Sequence, residues 1–227
     1  MSSRSITRQS TEAAAPGPRP ASGGPALSGA RTGDDVVVLL LADFAPGARL
    51  WGWARMVLGP RAHRDTPGLR LVKVLGSGHE GGFGLRPSAS RQGLFLVFDG
   101  EAAADAFLAH GRVAQAYRAH AREFCTVKLR AFASRGHWDG RDIAVSAAAP
   151  AGGTVAALTR ASIRPLRAAE FWRLAPPAEA SLAGAPGCRL AVGLGEAPLL
   201  RQATFSLWDD QAAMDAYSRS GAHLEAI

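Results

Sequence analysis

The sequence predicts an α+β fold made of duplicated ferredoxin-like halves of the dimeric α/β-barrel type. Apolar stretches and helical stripes in the first half follow the order β-α-β-β-α-β, which is the order of a ferredoxin-like domain. The second half begins the same order again. Matching segments of the two halves keep a nearly constant separation, which favours a real duplication over a chance succession of strands and helices.

The repeat is clearest in the second strand of each half and in the turn before it. Thr66–Leu71 resembles Ala185–Leu190, which lies 119 residues further on (185 minus 66). Asp99 and Asp209 follow a matching pair of later strands at a separation of 110 residues (209 minus 99), so the second copy has the shorter loop. Asp209 also stands where a side chain would cap the N-terminus of the next helix.

The elements of the first half are predicted from their hydrophobic patterns. The first strand is apolar without interruption, which predicts burial on both of its faces. The second helix carries an apolar stripe at i, i+3, i+4 spacing, and the glycine-rich loop lacks the lysine of a phosphate loop. These elements are the strand Asp35–Asp43, the helix Arg49–Leu58, the strand Leu69–Leu75, the loop Gly76–Pro87, the strand Gly93–Phe98, the helix Glu101–Glu123 and the strand Phe124–Phe132.

The second half covers 154–227 and follows the linker Ser146–Gly153, while the first half covers 34–145. Residues 1–33 are rich in Ser, Ala, Gly and Pro, which predicts a disordered tail. The second half holds the strand Thr154–Ala161, the helix Leu166–Leu174, the strands Leu190–Leu194 and Ala203–Trp208, and a helix from Gln211 onward. That helix is still running at Ile227, so we expect this half to be truncated at its C-terminus, without a fourth strand.

The composition is that of a globular protein, with 47% hydrophobic and 20% charged residues. The longest apolar run, Val36–Ala42, is too short to span a bilayer. The net charge is +7, and Lys73 and Lys128 are the only lysines beside the arginines. The arginines are scattered without a basic run, so we expect no nucleic-acid partner. We expect a cytoplasmic protein and leave open a peripheral contact with the inner membrane through its positive charge.

Several motifs of the second half resemble one known family. The segment Thr154–Pro165 is similar to the central signature of the spheroidene monooxygenases, the acyclic-carotenoid 2-ketolases of purple bacteria. The resemblance continues through Phe171-Trp172, Gly184–Gly187, Gly193–Leu199 and Gln202–Trp208, and more loosely through Trp53, the Gly76–Pro87 loop and Ser134–Gly140 in the first half. It covers roughly Asp35 to Ile227, although family members continue past this point with an aromatic-rich segment.

This resemblance implies an oxidoreductase that introduces a keto group at C-2 of spheroidene or a related acyclic carotenoid. It implies dioxygen as the oxidant, haem iron as the cofactor and reduced ferredoxin as the electron donor. An unactivated C–H bond needs an oxidant that no side chain supplies, so a cofactor is chemically required.

His223 is the candidate axial ligand of the iron, because it lies in the final helix between Ala222 and Leu224. His79 in the glycine-rich loop and His137 are the reserves. A single neutral imidazole is the ligand in globin-like sites. A thiolate ligand would have to come from Cys125 or Cys188, and neither lies in a recognisable ligand loop.

Arg160 and Arg164 flank the signature strand and are the candidate catalytic residues, since an arginine at a strand end can bind a haem propionate or polarise oxygen. Trp172, Phe205 and Trp208 are the candidate substrate-binding residues, as part of an aromatic set that can line a polyene channel or simply pack in the core. Trp53 and Phe171 complete that set.

Two other functions fit the same pattern. One is a cofactor-free or haem-handling dimeric α/β-barrel protein that acts on another apolar or tetrapyrrole ligand. The other is a non-catalytic binding protein, which the missing fourth strand makes reasonable.

Overall fold

A computed structural model describes residues 6–7, 33–82, 84, 86–197 and 200–219. The fold is α+β, as predicted. The strands are β1 (Ile6–Thr7), β2 (Val36–Phe44), β3 (Leu69–Gly78), β4 (Pro87–Phe98), β5 (Ala121–Leu129), β6 (Ala131–Ala133), β7 (Val155–Ser162), β8 (Cys188–Ala197) and β9 (Arg201–Trp208). The helices are α1 (Arg49–Leu58), α2 (Glu101–His110), α3 (Arg112–His120), α4 (Ala168–Ala183) and α5 (Gln211–Ser218). None of the helices in the described ranges is long and apolar enough to cross a bilayer.

The strands of the described ranges form one sheet, in the order β5-β2-β4-β3-β8-β9-β7-β1-β6. Within this order, the neighbours β5, β2, β4 and β3 pair antiparallel, and so do the neighbours β8, β9 and β7. The two groups meet where β3 pairs antiparallel with β8, Gly76 opposite Gly195 and Ser77 opposite Leu194. The Ser77 hydroxyl donates a 2.7 Å hydrogen bond to the Gly193 carbonyl across this junction. The sheet is therefore continuous between the two halves of the chain.

Alternation along the strands separates two apolar layers. On β2, Val36 and Val38 face the layer beneath α2 and α3, while Val37 and Leu39 face the opposite layer. Both faces of β2 are buried, which confirms the prediction from its unbroken apolarity. The opposite layer, which we call the inner core, takes side chains from both halves of the chain: Val37, Leu39, Leu71, Leu75, Phe95, Val97, Leu129, Trp138, Ala156, Leu194, Ala203 and Phe205.

The two halves of the chain share several structural details at a constant separation. The 3-10 helices Pro46–Ala48 and Pro165–Arg167 lie 119 residues apart (165 minus 46), as do β3 and β8 at both of their ends. Gly68 and Gly187, also 119 apart, both have positive φ (68° and 79°), the region that glycine adopts without strain. The Gly68 and Gly187 carbonyls accept hydrogen bonds of 2.9 and 2.8 Å from the backbone N–H groups of Asp99 and Asp209.

The prediction of one helix over Glu101–Glu123 was wrong in two respects. The helical segment is broken at Gly111, whose backbone is extended (φ −62°, ψ 122°), and it ends at His120. A Cβ atom at Gly111 would meet the Phe107 ring at 2.8 Å, so the chain passes too close for a side chain there. The residues after His120 pair with β2 instead, with Glu123 opposite Asp43, because cross-strand pairing overrides their helical pattern.

Two predictions in the second half also need correction. Helix α4 runs to Ala183, past the predicted end at Leu174, and crosses Pro176 and Pro177, each of which removes one backbone donor. The N-cap of α5 is Asp210, whose side chain accepts a 2.8 Å hydrogen bond from the Ala213 N–H. Asp209, the predicted cap, instead forms an ion pair with Arg189.

His63 is buried at the end of the 3-10 helix Gly59–His63, which packs against β3. Its Nδ1 atom has no hydrogen-bond partner among the described residues. Burial, with a smaller contribution from the nearby Arg55 guanidinium, lowers the pKa of His63 from 6.5 to about 4. The imidazole is therefore neutral in the folded protein at neutral pH.

This lowered pKa predicts a loss of stability in acid. Below pH 6.5 His63 binds a proton in the unfolded chain, whereas in the folded protein it stays neutral down to about pH 4. The free energy of unfolding therefore falls as the pH drops from 6.5 toward 4. We expect His63 to account for about 2 kcal/mol of the free energy of unfolding lost between pH 7 and pH 5. Urea denaturation at both pH values measures it. His63→Gln should lose less between the two pH values than the wild type, whereas the exposed His110→Gln should lose the same amount; equal losses in all three proteins would contradict the assignment.

Candidate functional site

A buried lysine lies on the side of β3 that faces the inner core. Leu71, Lys73 and Leu75 alternate along β3 with side chains that face the helices, so Lys73 points inward. Only 6% of Lys73 is exposed. A lysine is almost never buried to this extent without a partner, so its neighbours decide what the site is.

The Lys73 ammonium binds two carboxylates from distant parts of the chain. It forms ion pairs with Glu196 of β8 and with Asp139, which lies in the segment between β6 and β7. The hydrogen bond from Lys73 holds the pKa of the Asp139 carboxyl below its ordinary value. One cation thus joins the first half, the second half and the segment that connects them.

Trp138 completes this group of residues, which we call the Lys73 cluster (Lys73, Glu196, Asp139, Trp138 and Arg160). The Trp138 indole donates a 3.2 Å hydrogen bond from Nε1 to Glu196 Oε1. Lys73 Nζ and Arg160 Cζ lie 5.7 and 5.4 Å from the centre of the indole ring, within the range of cation–π attraction. One aromatic ring therefore lies within reach of two cations.

A tight turn, Trp138–Arg141, positions Trp138 and Asp139 beside Lys73. The Trp138 and Arg141 backbones exchange two hydrogen bonds, of 2.9 and 3.1 Å. Between them, Asp139 and Gly140 have φ of 52° and 71°, the positive values that a two-residue type I′ turn requires and that Asp-Gly supplies. The Arg160 guanidinium holds the same segment by donating a 3.2 Å hydrogen bond to the His137 carbonyl.

A cleft opens beside the cluster, with Trp138 and Arg160 among its walls. Its free volume is about 60 Å³, room for about two water molecules. The wall combines apolar side chains with arginines: Val37, Phe95, Ala131, Ala133, Ser134, Arg135, Gly136, His137, Trp138, Arg141, Ile143, Leu158 and Arg160. Such a mixture of apolar walls and a few fixed polar groups is typical of a site for an apolar ligand.

Two buried polar atoms of the Lys73 cluster have no hydrogen-bond partner among the described residues. They are Oε2 of Glu196 and Nε of Arg160. Buried polar atoms without partners are uncommon in folded proteins, and they mark places where a ligand or water completes the structure. Here they supply one free acceptor and one free donor, on residues that contact Trp138.

A second cleft, of about 360 Å³, is polar and contains no residue of the Lys73 cluster. Asp43 lies buried in its wall, 3.1 Å from Arg91 Nε and 2.7 Å from Arg122 Nη2. Burial alone would raise the pKa of Asp43, but hydrogen bonds from Arg122, Ser90 and Arg91 outweigh burial and lower it. Its Oδ2 atom is thus already bound by two arginines, while Oδ1 has no hydrogen-bond partner among the described residues. The polar wall of this cleft does not suit an apolar substrate.

The structure separates the two predicted catalytic arginines. Arg160 lies on the inner face of β7 and lines the cleft. Arg164 follows β7, is exposed, and does not line the cleft. Of the two arginines predicted to be catalytic, Arg160 lines the cleft and Arg164 does not.

The three predicted substrate-binding residues do not meet in one cavity. Phe205 lies in the inner core, but Trp208, three residues further along β9, lies on the opposite face, with its Nε1 2.9 Å from the Ser206 hydroxyl. Trp172 lies on α4, edge-on to Phe171 at 5.3 Å. Trp53, also in the aromatic set, is 52% exposed on α1, outside the inner core.

The predicted iron ligands do not form a haem site among the described residues. His223 lies outside the described residues. His79 and His137 are exposed, and His137 is paired with Asp142. Cys125 as a whole residue is exposed and Cys188 is half-buried, but both thiol groups are partly buried, which raises their pKa and disfavours a thiolate. None of the four described candidates therefore fits a haem iron: His79 lies in the wall of the polar cleft, His137 is already paired, and neither thiol favours the thiolate form.

Sequence reasoning missed four of the five members of the Lys73 cluster as site residues. Lys73 carried a signal, because it is a charged residue directly between two apolar residues, Val72 and Val74, of a predicted strand. Glu196 and Trp138-Asp139 both lie in motifs that resemble the spheroidene monooxygenases. Their meeting at one lysine depends on the tertiary fold, which the motifs do not show.

Comparison with curated proteins finds several relatives. A protein of Rubrivivax gelatinosus named spheroidene monooxygenase is 61% identical over 195 residues, which are 86% of this chain and 76% of that protein. The spheroidene monooxygenase of Rhodobacter capsulatus is 34% identical over 74% of this chain and 71% of its own length. That of Cereibacter sphaeroides is 30% identical over 79% of this chain and 56% of its own length. No protein-family model matches the sequence.

Similar solved structures include an anthrone oxidase-like protein, 16% identical over 85% of this chain and 83% of that chain, with a TM-score of 0.32. SnoaB, a cofactor-independent oxygenase from Streptomyces nogalater, is 17% identical over 42% of this chain and 91% of its own, with a TM-score of 0.30. These TM-scores are too low for either likeness to bear on the fold or the chemistry.

Removal of the central cation should destabilise the protein strongly. Lys73→Met leaves Glu196, whose side chain is only 14% exposed, without its cation. Breaking a buried ion pair from one side costs about 3–5 kcal/mol. We expect a loss of that size in the free energy of unfolding, measured by chemical denaturation.

Lys128 is the matched control, because it is the only other lysine and binds the more exposed Glu101 and Asp105 on the helix side of the sheet. Lys128→Met should cost less than about 1 kcal/mol. The double variant Lys73→Met/Glu196→Gln should regain much of the loss, because it leaves fewer charges unpaired. Equal losses in the two lysine variants would show that the Lys73 cluster does not hold the halves together.

Proposed function

The chain belongs to the spheroidene monooxygenase family, and from this premise we propose that it is the oxidoreductase that introduces a keto group at C-2 of spheroidene or a related acyclic carotenoid. The observation that carries the proposal is the 61% identity over 86% of the chain to the Rubrivivax gelatinosus protein of that name. The matching motifs also supply Arg160, Trp138, Asp139 and Glu196, which meet beside one cleft.

The proposed reaction is two successive hydroxylations of one methylene carbon. Each hydroxylation takes one oxygen atom from dioxygen and reduces the other to water with two electrons and two protons, and we propose reduced ferredoxin as the electron donor. The second hydroxylation gives a gem-diol, which loses water to become the ketone. Loss of water needs an acceptor for one hydroxyl proton, and Glu196 Oε2 is a buried acceptor without a partner among the described residues.

Haem is the proposed cofactor, with His223 as its axial ligand. When bound, haem supplies the strong oxidant that an unactivated C–H bond requires. The described residues around the cleft do not fit a haem, so the proposal rests on the family resemblance and on a residue outside the described ranges.

We propose that the oxidised end of the polyene enters the cleft beside the Lys73 cluster. Val37, Phe95 and Leu158 give the cleft an apolar wall, and Arg160 brings an Nε–H group without a partner among the described residues. We propose that this group donates to an oxygen on the substrate. Ligand cavities usually measure about 300–1,000 Å³, far more than the 60 Å³ here. The turn that carries Trp138 must therefore move outward when the substrate enters.

We also propose that the two halves are duplicated ferredoxin-like units. The support is the constant separation of 119 residues between their first elements, together with the positive φ of Gly68 and Gly187 at the same turn. A duplicated unit accounts for an inner core that both halves line, with the substrate cleft beside it.

Pigment conversion tests the proposed function directly. We expect that a host that accumulates spheroidene will form the 2-keto derivative when this chain is expressed, and that it will form none with the empty vector. Chromatography with mass spectrometry identifies the product by its exchange of two hydrogens for one oxygen. An unaltered pigment beside folded, haem-loaded protein would overturn the function.

In the same assay, Arg160→Gln should lower conversion tenfold or more, since it removes the free donor from the cleft. Arg164→Gln should lower it less, because Arg164 is exposed and lies outside the cleft wall. Arg173→Gln, exposed on α4, is the control for loss of an arginine charge. Equal conversion by the Arg160→Gln and Arg173→Gln proteins would remove Arg160 from the site.

The haem proposal predicts that His223→Ala loses the Soret absorbance band of the purified protein while the far-ultraviolet circular dichroism stays the same. His110→Gln, on the exposed side of α2, should keep the band. An unchanged Soret band in His223→Ala would eliminate His223 as the ligand.

A further inference from the structure

Helix α1 presents an apolar face to solvent. Leu50, Trp53 and Val57 are 84, 52 and 82% exposed, and their spacing of three and four residues puts them on one side of the helix. The opposite side packs on the sheet, where Gly52 is buried so closely against the Phe44 ring that a Cβ atom would lie 2.5 Å from it. The exposed face is thus fixed in orientation by the packing of the other face.

Positive charge lies at both ends of this helix. From Arg49 to Arg64 the sequence contains four arginines and no acidic residue. Arg49 lies at the start of α1, and Arg61 and Arg64 follow its end; all three are exposed. An apolar stripe with a tryptophan, rimmed by arginines, is the pattern of a helix that lies in the headgroup region of an anionic bilayer.

We propose that the outer face of α1 docks on an anionic lipid surface, with Leu50, Trp53 and Val57 inserted between headgroups and Arg49, Arg61 and Arg64 bound to lipid phosphates. Charge complementarity selects this occupant, because a second copy of the chain would bring the same arginines against one another. The biological reason for this docking rests on the proposed function, since a carotenoid dissolves in the bilayer and the enzyme must take it up from there. The binding itself does not require catalysis.

Co-sedimentation of the purified full chain with lipid vesicles tests the proposal. We expect binding to phosphatidylcholine vesicles that contain about one-third phosphatidylglycerol, and at least tenfold weaker binding to pure phosphatidylcholine, since each arginine near an anionic surface adds to the attraction. Higher salt should weaken the binding to the anionic vesicles.

Two sets of variants assign the binding to α1. Leu50→Ser/Trp53→Ser/Val57→Ser and Arg49→Gln/Arg61→Gln/Arg64→Gln should each lower binding to the anionic vesicles at least tenfold. The matched controls are Leu166→Ser, 98% exposed elsewhere, and Arg112→Gln/Arg173→Gln/Arg219→Gln, and both should bind as the wild type does. Circular dichroism checks that every variant is folded.

Three outcomes would overturn the proposal: no binding to anionic vesicles, equal binding by the α1 variants and their controls, or a dimer in sedimentation analysis that the apolar α1 variant converts to monomer. The last would identify a second copy of the chain as the occupant. Failure of this test with pigment conversion intact would reject the docking surface alone, whereas lipid binding without conversion would reject the function alone.

Discussion

The fold depends on one buried cation that three distant segments share. Lys73 of β3 binds Glu196 of β8 and Asp139 of the connecting turn, inside a sheet that runs continuously through both halves. Burying a lysine costs several kcal/mol unless carboxylates replace its water, so the arrangement is favourable only when all three segments are in place. The cluster therefore ties the register of the β3–β8 junction to the position of the Trp138 turn.

The same cluster explains why the family motifs lie where they do. Thr154–Pro165 supplies Arg160, Gly193–Leu199 supplies Glu196, and Ser134–Gly140 supplies Trp138 and Asp139. In the folded chain these motifs meet at Lys73 and at the cleft beside it.

The sequence predicted the parts of the fold that local patterns decide. The bounds of α1 agree with the prediction, and the strands β2, β3 and β9 were found because their apolar runs are unbroken or alternate cleanly. The prediction that the helix ends at Glu123 failed because the residues from Ala121 onward pair with β2 as a strand. Local patterns do not include such long-range competition.

The site was harder to predict than the fold, for a physical reason. Trp53, Phe205 and Trp208 are equally aromatic in the sequence, yet one lies in solvent, one in the inner core and one beneath the helices. Which face an aromatic residue occupies depends on strand register and helix packing. Arg160 was predicted from its motif, but its contact with Trp138, and that of Trp138 with Glu196, arise only through the tertiary fold.

The most direct test of the central claim is a crystal structure of the protein with its ketocarotenoid product. The account predicts that the oxidised end of the polyene lies within about 4 Å of Leu158, Arg160 and the Trp138 ring, with the Lys73–Glu196 ion pair intact. Electron density for the keto end anywhere else, with the cleft still closed by Trp138, would contradict it.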